Sequence, residues 1–176
     1  SSDLETNQPV HPNNPHYTVL EAEHIFQQDG SVGIRNQGFD GILVKSGESY
    51  HFSVFSKQLS HEPVSLKISL QTRKGEVLAE KKLTVSSANW EKQTTVLTSS
   101  ASYDTASLVI SLVSKGKVAL DVVSLFPERT FKNRPNGMRA DLAQLLADMK
   151  PAFIRFPGGC LVHGDGLGNM YRWKKT

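Results

Sequence analysis

The strongest constraint on the fold is a period-two alternation of apolar and polar side chains between residues 17 and 127. In the clearest case, Val64, Leu66, Ile68 and Leu70 alternate with polar residues. Such alternation predicts strands that bury one face. The other stretches that share this pattern, or a short apolar version of it, are 17–22, 50–54, 77–85, 93–97, 108–112 and 118–122.

Turn-forming clusters rich in Gly, Ser, Asn and Lys separate these stretches. About eight or nine short strands at this spacing predict a mainly β fold, namely an antiparallel jelly-roll sandwich over residues 17–127. Residues 1–16 are polar, contain prolines and show no period, which favours an extended arm or a disordered lead-in. Residues 128–136 are basic and contain proline, so we place a linker and the domain boundary there.

A helical period follows the linker. Asn136 is a candidate N-cap next to Gly137, Asp141 lies in the first turn, Lys150 lies in the last turn, and Pro151 ends the helix. These charges suit the helix dipole. The residues predicted to line one apolar face are Met138, Leu142, Leu145, Leu146 and Met149.

The next segment, 152–156, is short and apolar, which predicts a buried strand. The Pro-Gly-Gly sequence at 157–159 ends it. Arg155 would lie near the carboxyl end of this strand, where α/β barrels carry their chemistry and where a guanidinium offers fixed donors to hydroxyl or carboxylate oxygens. A structural ion pair for Arg155 is the alternative, and the spacing does not decide between the two.

Composition limits the function classes. The chain has 176 residues, whereas a complete (β/α)8 barrel needs ~250, so any barrel here is a piece. The net charge is +3 and both signs alternate along the chain, which argues against a nucleic-acid partner. A single cysteine excludes an internal disulfide. No apolar run approaches the ~18 residues of a membrane span.

Four short motifs then resemble the α-L-arabinofuranosidases of glycoside hydrolase family 51 in order and spacing. They are GMRADL at 137–142, KPAFIRFPGGC at 150–160, GDGL at 164–167 and YRWK at 171–174. Upstream, GIRNQGFDGI at 33–42 resembles the start of the carbohydrate-binding-module-like sandwich that many members insert between the first two barrel strands. The resemblance implies a galactose-binding-like jelly roll followed by one helix and one strand of a truncated (β/α)8 barrel at 137–176.

The family resemblance also implies a function. Members are retaining hydrolases that release terminal L-arabinofuranose from arabinan or arabinoxylan, with two glutamates ~5 Å apart. Both glutamates lie on later barrel strands, and neither Asp165 nor another carboxylate here matches them. We therefore assign no catalytic residue, expect the chain alone to be inactive, and expect the remainder of the barrel as its partner. The parent would be bacterial, would serve L-arabinose metabolism and polysaccharide degradation, and would be periplasmic or secreted.

Substrate-binding residues come from the same resemblance. Arg155 would bind the furanose at the floor of the active site, and Cys160 would line the same pocket. His163 stands where many relatives have glutamate, so its role is open. A non-catalytic carbohydrate-binding module, or a sandwich that only packs against the barrel, is the alternative function.

Three aromatic residues are candidate sugar platforms. Trp90 has a plainer role covering one end of the core, and Phe39 has a plainer role as a loop anchor. Tyr103, which we place in a polar loop, is the best candidate for exposure. No cofactor is expected.

Metal binding has weak support in the sequence. Glu21, Glu23 and Asp121 could supply oxygen ligands to a structural calcium ion, but strand carboxylates are more often only solvated. The grouping of Cys160, His163 and Asp165 matches no usual zinc spacing. We therefore assign no metal ligand.

Overall fold

The computed structural model describes residues 2–24, 32–155, 159, 162, 164 and 168. They fall into two compact units, Ser1–Arg139 and Ala140–Thr176. Strands dominate the first unit and a helix the second. The strands are β1 (Ser2–Glu5), β2 (Tyr17–Ala22), β3 (Gly33–Asn36), β4 (Ile42–Val44), β5 (Ser49–Gln58), β6 (Val64–Gln71), β7 (Val77–Val85), β8 (Glu91–Thr98), β9 (Tyr103–Leu112) and β10 (Gly116–Pro127).

The strands of the first unit form two antiparallel sheets. The first sheet has the order β1-β2-β10-β5-β8, and the second has the order β3-β9-β6-β7, with β4 also paired to β9. Strands that are distant in sequence, such as β2 and β10, therefore lie side by side. This two-sheet arrangement confirms the predicted mainly β sandwich.

The core lies between the inner faces of the sheets. Phe52 of β5 is 1% exposed, and Leu66 and Ile68 of β6 are fully buried. Each such side chain contributes about 1.5–3 kcal/mol by leaving water. The alternation in the sequence therefore predicted the inward face of these strands correctly.

One strand breaks the alternation. Val122 was predicted to point inward with Val118 and Leu120, but it is 54% exposed and has a φ of 47°. The register of β10 against β5 shifts between Asp121 and Ser124, so β10 contains a β-bulge. An extra residue reverses the faces beyond it, which explains why Val122 points outward.

The N-terminal segment is attached to the first sheet. Residues Ser2–Glu5 form β1, which pairs with β2. Further along, Tyr17 Oη donates to the Asn7 carbonyl at 2.7 Å, and Trp90 Nε1 donates to the Gln8 carbonyl at 2.8 Å. The described part of the arm is thus ordered by hydrogen bonds to the sandwich.

The turn between β3 and β4 requires glycine. Gly41 has a φ of 97°, and a Cβ atom there would lie 2.3 Å from Thr105 Cα of β9. No side chain can be placed at that distance. The GIRNQGFDGI motif therefore begins with β3 and ends at the first residue of β4. Alternation identified neither of these short strands, and the turn between them packs directly on the backbone of β9.

The predicted linker is folded onto the sandwich. The amide of Glu128 donates to the Ser49 carbonyl at 2.9 Å, and the amide of Phe131 donates to the Met138 carbonyl at 2.9 Å. A 3-10 turn covers Phe131–Asn133, and Thr130 forms a bridge with Arg139. The first unit consequently extends to Arg139.

The helix, α1, runs from Ala140 to Asp148. Its position confirms the predicted helix, but its N-terminus lies later than expected. Asn136 is not the cap, because it has a φ of 50° and lies in the turn before the helix. Asp141 is in the first turn as predicted. The prediction that Lys150 lies in the last turn is wrong, because the helix ends at Asp148 and Lys150 follows it in a left-handed conformation, with a φ of 46°.

The predicted strand after the helix does not form over residues 151–155. Phe153 and Ile154 are 80% and 73% exposed, and Phe156 lies outside the described residues. A strand needs a neighbour to satisfy its backbone N–H and C=O groups, and no described strand pairs with this segment.

Within the described part of the chain, no helix is long and apolar enough to cross a membrane.

Candidate functional site

A cleft of about 460 Å³ lies on the first sheet, within the first unit. Its floor is the outer face of β5, β8 and β10, because the side chains on this face alternate with the buried Phe52 and Leu97. Its wall is the segment 127–136. The side chains of the floor are His51, Ser53, Lys92, Thr94, Val96, Ser124 and Phe126.

The floor combines apolar surface with hydroxyl groups. Phe126 is half-buried and Val96 is 39% exposed. Beside them, the hydroxyls of Ser53 and Ser124 lie 2.7 Å apart and share a hydrogen bond, and Thr94 adds another hydroxyl. A sugar ring presents the same combination of C–H surface and hydroxyls, so the floor matches its chemistry.

The wall is held by its own hydrogen bonds. Thr130 Oγ1 donates to the Arg134 carbonyl, and the Gly137 amide donates to the same carbonyl at 2.9 Å. Lys132, Asn133 and Asn136 all have positive φ angles, which cost energy in non-glycine residues and persist where surrounding contacts fix them. The contacts within the wall therefore fix its conformation.

The cleft carries more positive than negative charge. Lys92 and Arg134 line it, and neither side chain makes an ion pair or hydrogen bond with another described residue. Glu128 lies 3.9 Å from His51 Nε2, and both of those side chains are exposed. Two cations thus face the cleft against one carboxylate among the described lining residues.

Sequence reasoning missed this cleft. The available signal was the basic segment 128–136, which we interpreted only as a linker. Its side chains meet the outward residues of β5, β8 and β10 only after the chain folds back onto the first sheet.

Trp90 lies at the other side of the same outer face. Its ring contacts Tyr17 edge-on, with centroids 5.2 Å apart at 79°. Both rings pack with Val19 and Ala119 in a small apolar cluster. Burial, with a smaller effect of Glu5, raises the pKa of Tyr17. The indole of Trp90 is thus engaged with the sandwich and its arm.

The other candidate platforms occupy different positions from those expected. Tyr103 is the first residue of β9, is half-buried against the main core, and its hydroxyl accepts a hydrogen bond from the Arg73 amide at 3.4 Å. The expectation that Tyr103 is exposed in a loop is therefore wrong. Phe39 is fully exposed at a turn, so it does not anchor the loop.

The described chain does not bring together the residues that the family resemblance assigns to substrate binding. Arg155 is exposed and makes no hydrogen bond or ion pair with another described residue. Cys160, His163 and Asp165 lie outside the described residues. The candidate furanose pocket thus has one described member.

The calcium candidates do not converge either. Glu21 Oε2 lies 3.1 Å from Lys117 Nζ, and Asp121 Oδ1 accepts a hydrogen bond from the Val122 amide. Glu23 is exposed. Among the described residues, no group of three or more metal-ligating side chains is found.

Comparisons with known proteins cover both units. Residues 145–176 match the family model of the α-L-arabinofuranosidase 1 domain. An arabinose-bound α-L-arabinofuranosidase of glycoside hydrolase family 51 superposes with a TM-score of 0.84 and 31% identity, over 99% of this chain and 29% of that chain. A xylan-binding CBM22 domain from Paenibacillus barcinonensis, with a TM-score of 0.52 and 14% identity over 72% of this chain and 80% of that one, shows the sandwich fold alone.

Curated relatives agree with the structural match. α-L-Arabinofuranosidase 1 of Arabidopsis thaliana is 37% identical over 151 residues, which are 84% of this chain and 22% of that protein. An extracellular exo-α-L-arabinofuranosidase of Streptomyces chartreusis is 32% identical over 155 residues, which are 81% of this chain and 18% of that protein.

The two-sheet arrangement and the likeness to the CBM22 domain first define a fold class, that of jelly-roll β-sandwiches. More specifically, the chain matches a segment of the α-L-arabinofuranosidases of glycoside hydrolase family 51 over most of its own length. It spans about a fifth of the length of the curated relatives, 22% in the plant protein and 18% in the Streptomyces protein. Relatives also occur in fungi, so the similarity does not favour a bacterial origin.

Proposed function

We propose that the protein containing this segment is a retaining, exo-acting α-L-arabinofuranosidase that releases terminal arabinofuranose from arabinan or arabinoxylan. The observation that carries the proposal is the match to the arabinose-bound family 51 structure, which extends over 99% of the chain. The similarity to the extracellular exo-α-L-arabinofuranosidase of Streptomyces chartreusis supports exo action and secretion. The parent would act outside the cell or in the periplasm, in polysaccharide degradation.

The two units would have different roles. Residues 17–127 would form the sandwich, 128–136 the connection, and 137–176 the first part of the catalytic barrel. The family model begins at residue 145, inside α1, and includes no part of the sandwich, which supports this division. The catalytic glutamates would come from the rest of the parent, so the chain alone would not hydrolyse arabinofuranosides.

Arg155 would bind the furanose, and Cys160 would line the same pocket. The guanidinium of Arg155 is exposed and has no partner among the described residues, so it is available to hydroxyl oxygens. Charge-assisted hydrogen bonds of this kind contribute about 1.5–3 kcal/mol each. One such bond corresponds to about one to two decades in kcat/KM.

The test uses the full-length parent and a chromogenic aryl α-L-arabinofuranoside. We expect turnover by the parent, no turnover by the 176-residue chain, and about a 10- to 100-fold lower kcat/KM for Arg155→Ala in the parent. Arg73→Ala, at an exposed turn of the sandwich, is the matched control and should leave kcat/KM and melting temperature unchanged.

Two results would overturn the proposal. The first is a parent that releases no arabinose from the aryl glycoside or from arabinan. The second is turnover by this chain alone that persists after repurification. Loss of activity in Arg155→Ala only in step with a lower melting temperature would remove the binding role of Arg155 and leave the hydrolase assignment intact.

A further inference from the structure

We propose that the cleft between the outer face of β5, β8 and β10 and the wall 127–136 binds an acidic saccharide, a stretch of polysaccharide that carries uronic acid carboxylates. This site would be separate from furanose hydrolysis. The inference does not depend on the hydrolase assignment, because all of its residues lie in the first unit.

The cleft has the size and preformed shape of a ligand site. Its volume of about 460 Å³ falls within the ~300–1,000 Å³ typical of small-molecule pockets. Gly137 keeps the wall in place, because a Cβ atom there would lie 2.8 Å from the Arg134 carbonyl oxygen and 3.1 Å from Thr130 Cβ. A ligand would therefore bind without first ordering this wall, which lowers the entropic cost of binding.

The floor suits the neutral part of a sugar. Phe126 and Val96 offer apolar surface to the C–H groups of a ring, and the hydroxyls of Thr94 and of the Ser53–Ser124 pair can donate to and accept from ring hydroxyls. A flat basic surface for nucleic acid would need no such pairing of hydroxyls and apolar side chains. The floor chemistry therefore favours a saccharide.

The two cationic side chains of the cleft favour a ligand that carries an acidic group. Arg134 and Lys92 face the cleft without a partner among the described residues, and Glu128, which lies 3.9 Å from His51 Nε2, is the one carboxylate among the described lining residues. A guanidinium matches a carboxylate in a two-bond geometry, whereas a neutral hydroxyl uses only part of its donors. A uronate would thus use groups of the cleft that a neutral pentose or hexose would leave unpaired.

The experiment measures binding of tetragalacturonate and of neutral xylotetraose to the 176-residue chain by titration calorimetry at low and at moderate salt. We expect tetragalacturonate to bind at least about tenfold more tightly than xylotetraose, and added salt to weaken it. Arg134→Gln should weaken tetragalacturonate binding about tenfold, and Lys92→Gln should weaken it by a smaller factor, both without a change in melting temperature.

Lys82→Gln is the matched control, since Lys82 is an exposed lysine on β7 of the second sheet and outside the cleft. It removes the same charge and should leave the affinity unchanged. Equal loss in Lys82→Gln and Lys92→Gln, or equal binding of polyglutamate, would show diffuse charge attraction and overturn the proposal.

Three further outcomes would also overturn the proposed acidic-saccharide site. Equal affinity for the acidic and neutral tetrasaccharides, or no binding of either, would overturn the inferred specificity. Binding by this chain but not by the full-length parent would show that the parent covers the cleft, and would equally overturn it. None of these results bears on release of arabinose by the parent.

Discussion

Leucine side chains are buried in the sandwich and exposed on the C-terminal helix. Leu66 of β6 and Leu97 of β8 are fully buried, whereas Leu142 and Leu145 of α1 are 52% and 63% exposed. Both regions show a clear apolar period in the sequence. The period therefore predicts which face an element will bury, but burial itself depends on partner elements that pack against that face.

Backbone hydrogen bonding explains why the two elements of the second unit differ from each other. A helix makes its hydrogen bonds between its own residues, so α1 forms while its large apolar side chains stay exposed. A strand needs a neighbour for the same groups, and residues 151–155 have none among the described strands. The predicted helix is consequently present, and the predicted strand does not form over its described residues, 152–155.

The largest test of this contrast compares Phe52→Ala with Leu145→Ala. Phe52 is 1% exposed, and its truncation should lower the free energy of unfolding by about 3–5 kcal/mol through lost burial and the cavity left behind. Leu145 is 63% exposed, and its truncation should change stability by less than about 0.5 kcal/mol. Urea unfolding followed by tryptophan fluorescence measures both.

A loss of more than about 2 kcal/mol in Leu145→Ala would contradict the contrast, since it would mean that the helix face is covered in solution. Sedimentation of the wild type, compared with that of Leu145→Glu, would then show what packs against the helix face. Dissociation of a dimer by the glutamate would indicate a second copy of the chain, and an unchanged monomer would indicate packing within the chain.

An intermediate loss of stability is expected where the N-terminal arm packs on the sandwich, in contrast to the exposed helix. Trp90→Ala should lower the free energy of unfolding by about 1–3 kcal/mol, because it removes the edge contact with Tyr17 and the hydrogen bond to the Gln8 carbonyl. Phe39→Ala is the aromatic control, fully exposed and expected to be neutral within about 0.5 kcal/mol. Equal stability of both variants would mean that the arm is not docked on the sandwich.

The sequence predicted the inward faces of the sandwich because alternation is a local pattern, and the alternating apolar side chains are the ones that pack in the core. It missed the exposure of Val122, since a bulge depends on the register of β10 against β5. It also missed the docking of the arm on Tyr17 and Trp90, which joins residues more than eighty positions apart in the case of Gln8 and Trp90.

The sites were less predictable than the fold. Arg155 rests on motif resemblance, and the described chain places no partner beside it. Tyr103 was expected in a loop because its neighbours are polar, yet it begins β9 and packs on the core. The cleft depends on Arg134 meeting the face that carries Lys92, a contact that no local pattern encodes.

The smallest expected effect is that of removing the second unit. A chain ending at Arg139 keeps the Thr130–Arg139 bridge and the hydrogen bond from the Phe131 amide to the Met138 carbonyl. Among the described residues that it loses, Ala143 is buried, but the large apolar side chains from Leu142 to Ile154 are more than half exposed and contribute little burial energy. We expect cooperative unfolding with a free energy within about 1 kcal/mol of the full chain, and a melting temperature within about 4 °C.

The position of the boundary can be tested in the same series with a chain ending at Glu128. It loses the wall of the cleft, but it retains the ten described strands and the hydrogen bond from the Glu128 amide to the Ser49 carbonyl. If the sandwich is an independent domain up to residue 127, this chain should also unfold cooperatively, with a further loss of about 1–2 kcal/mol for the missing hydrogen bonds of the wall. An unfolded chain that regains sandwich order only when residues 129–139 are restored would move the boundary to Arg139. Order that returned only with residues 140–155 would show that the exposed helix stabilises the sandwich after all.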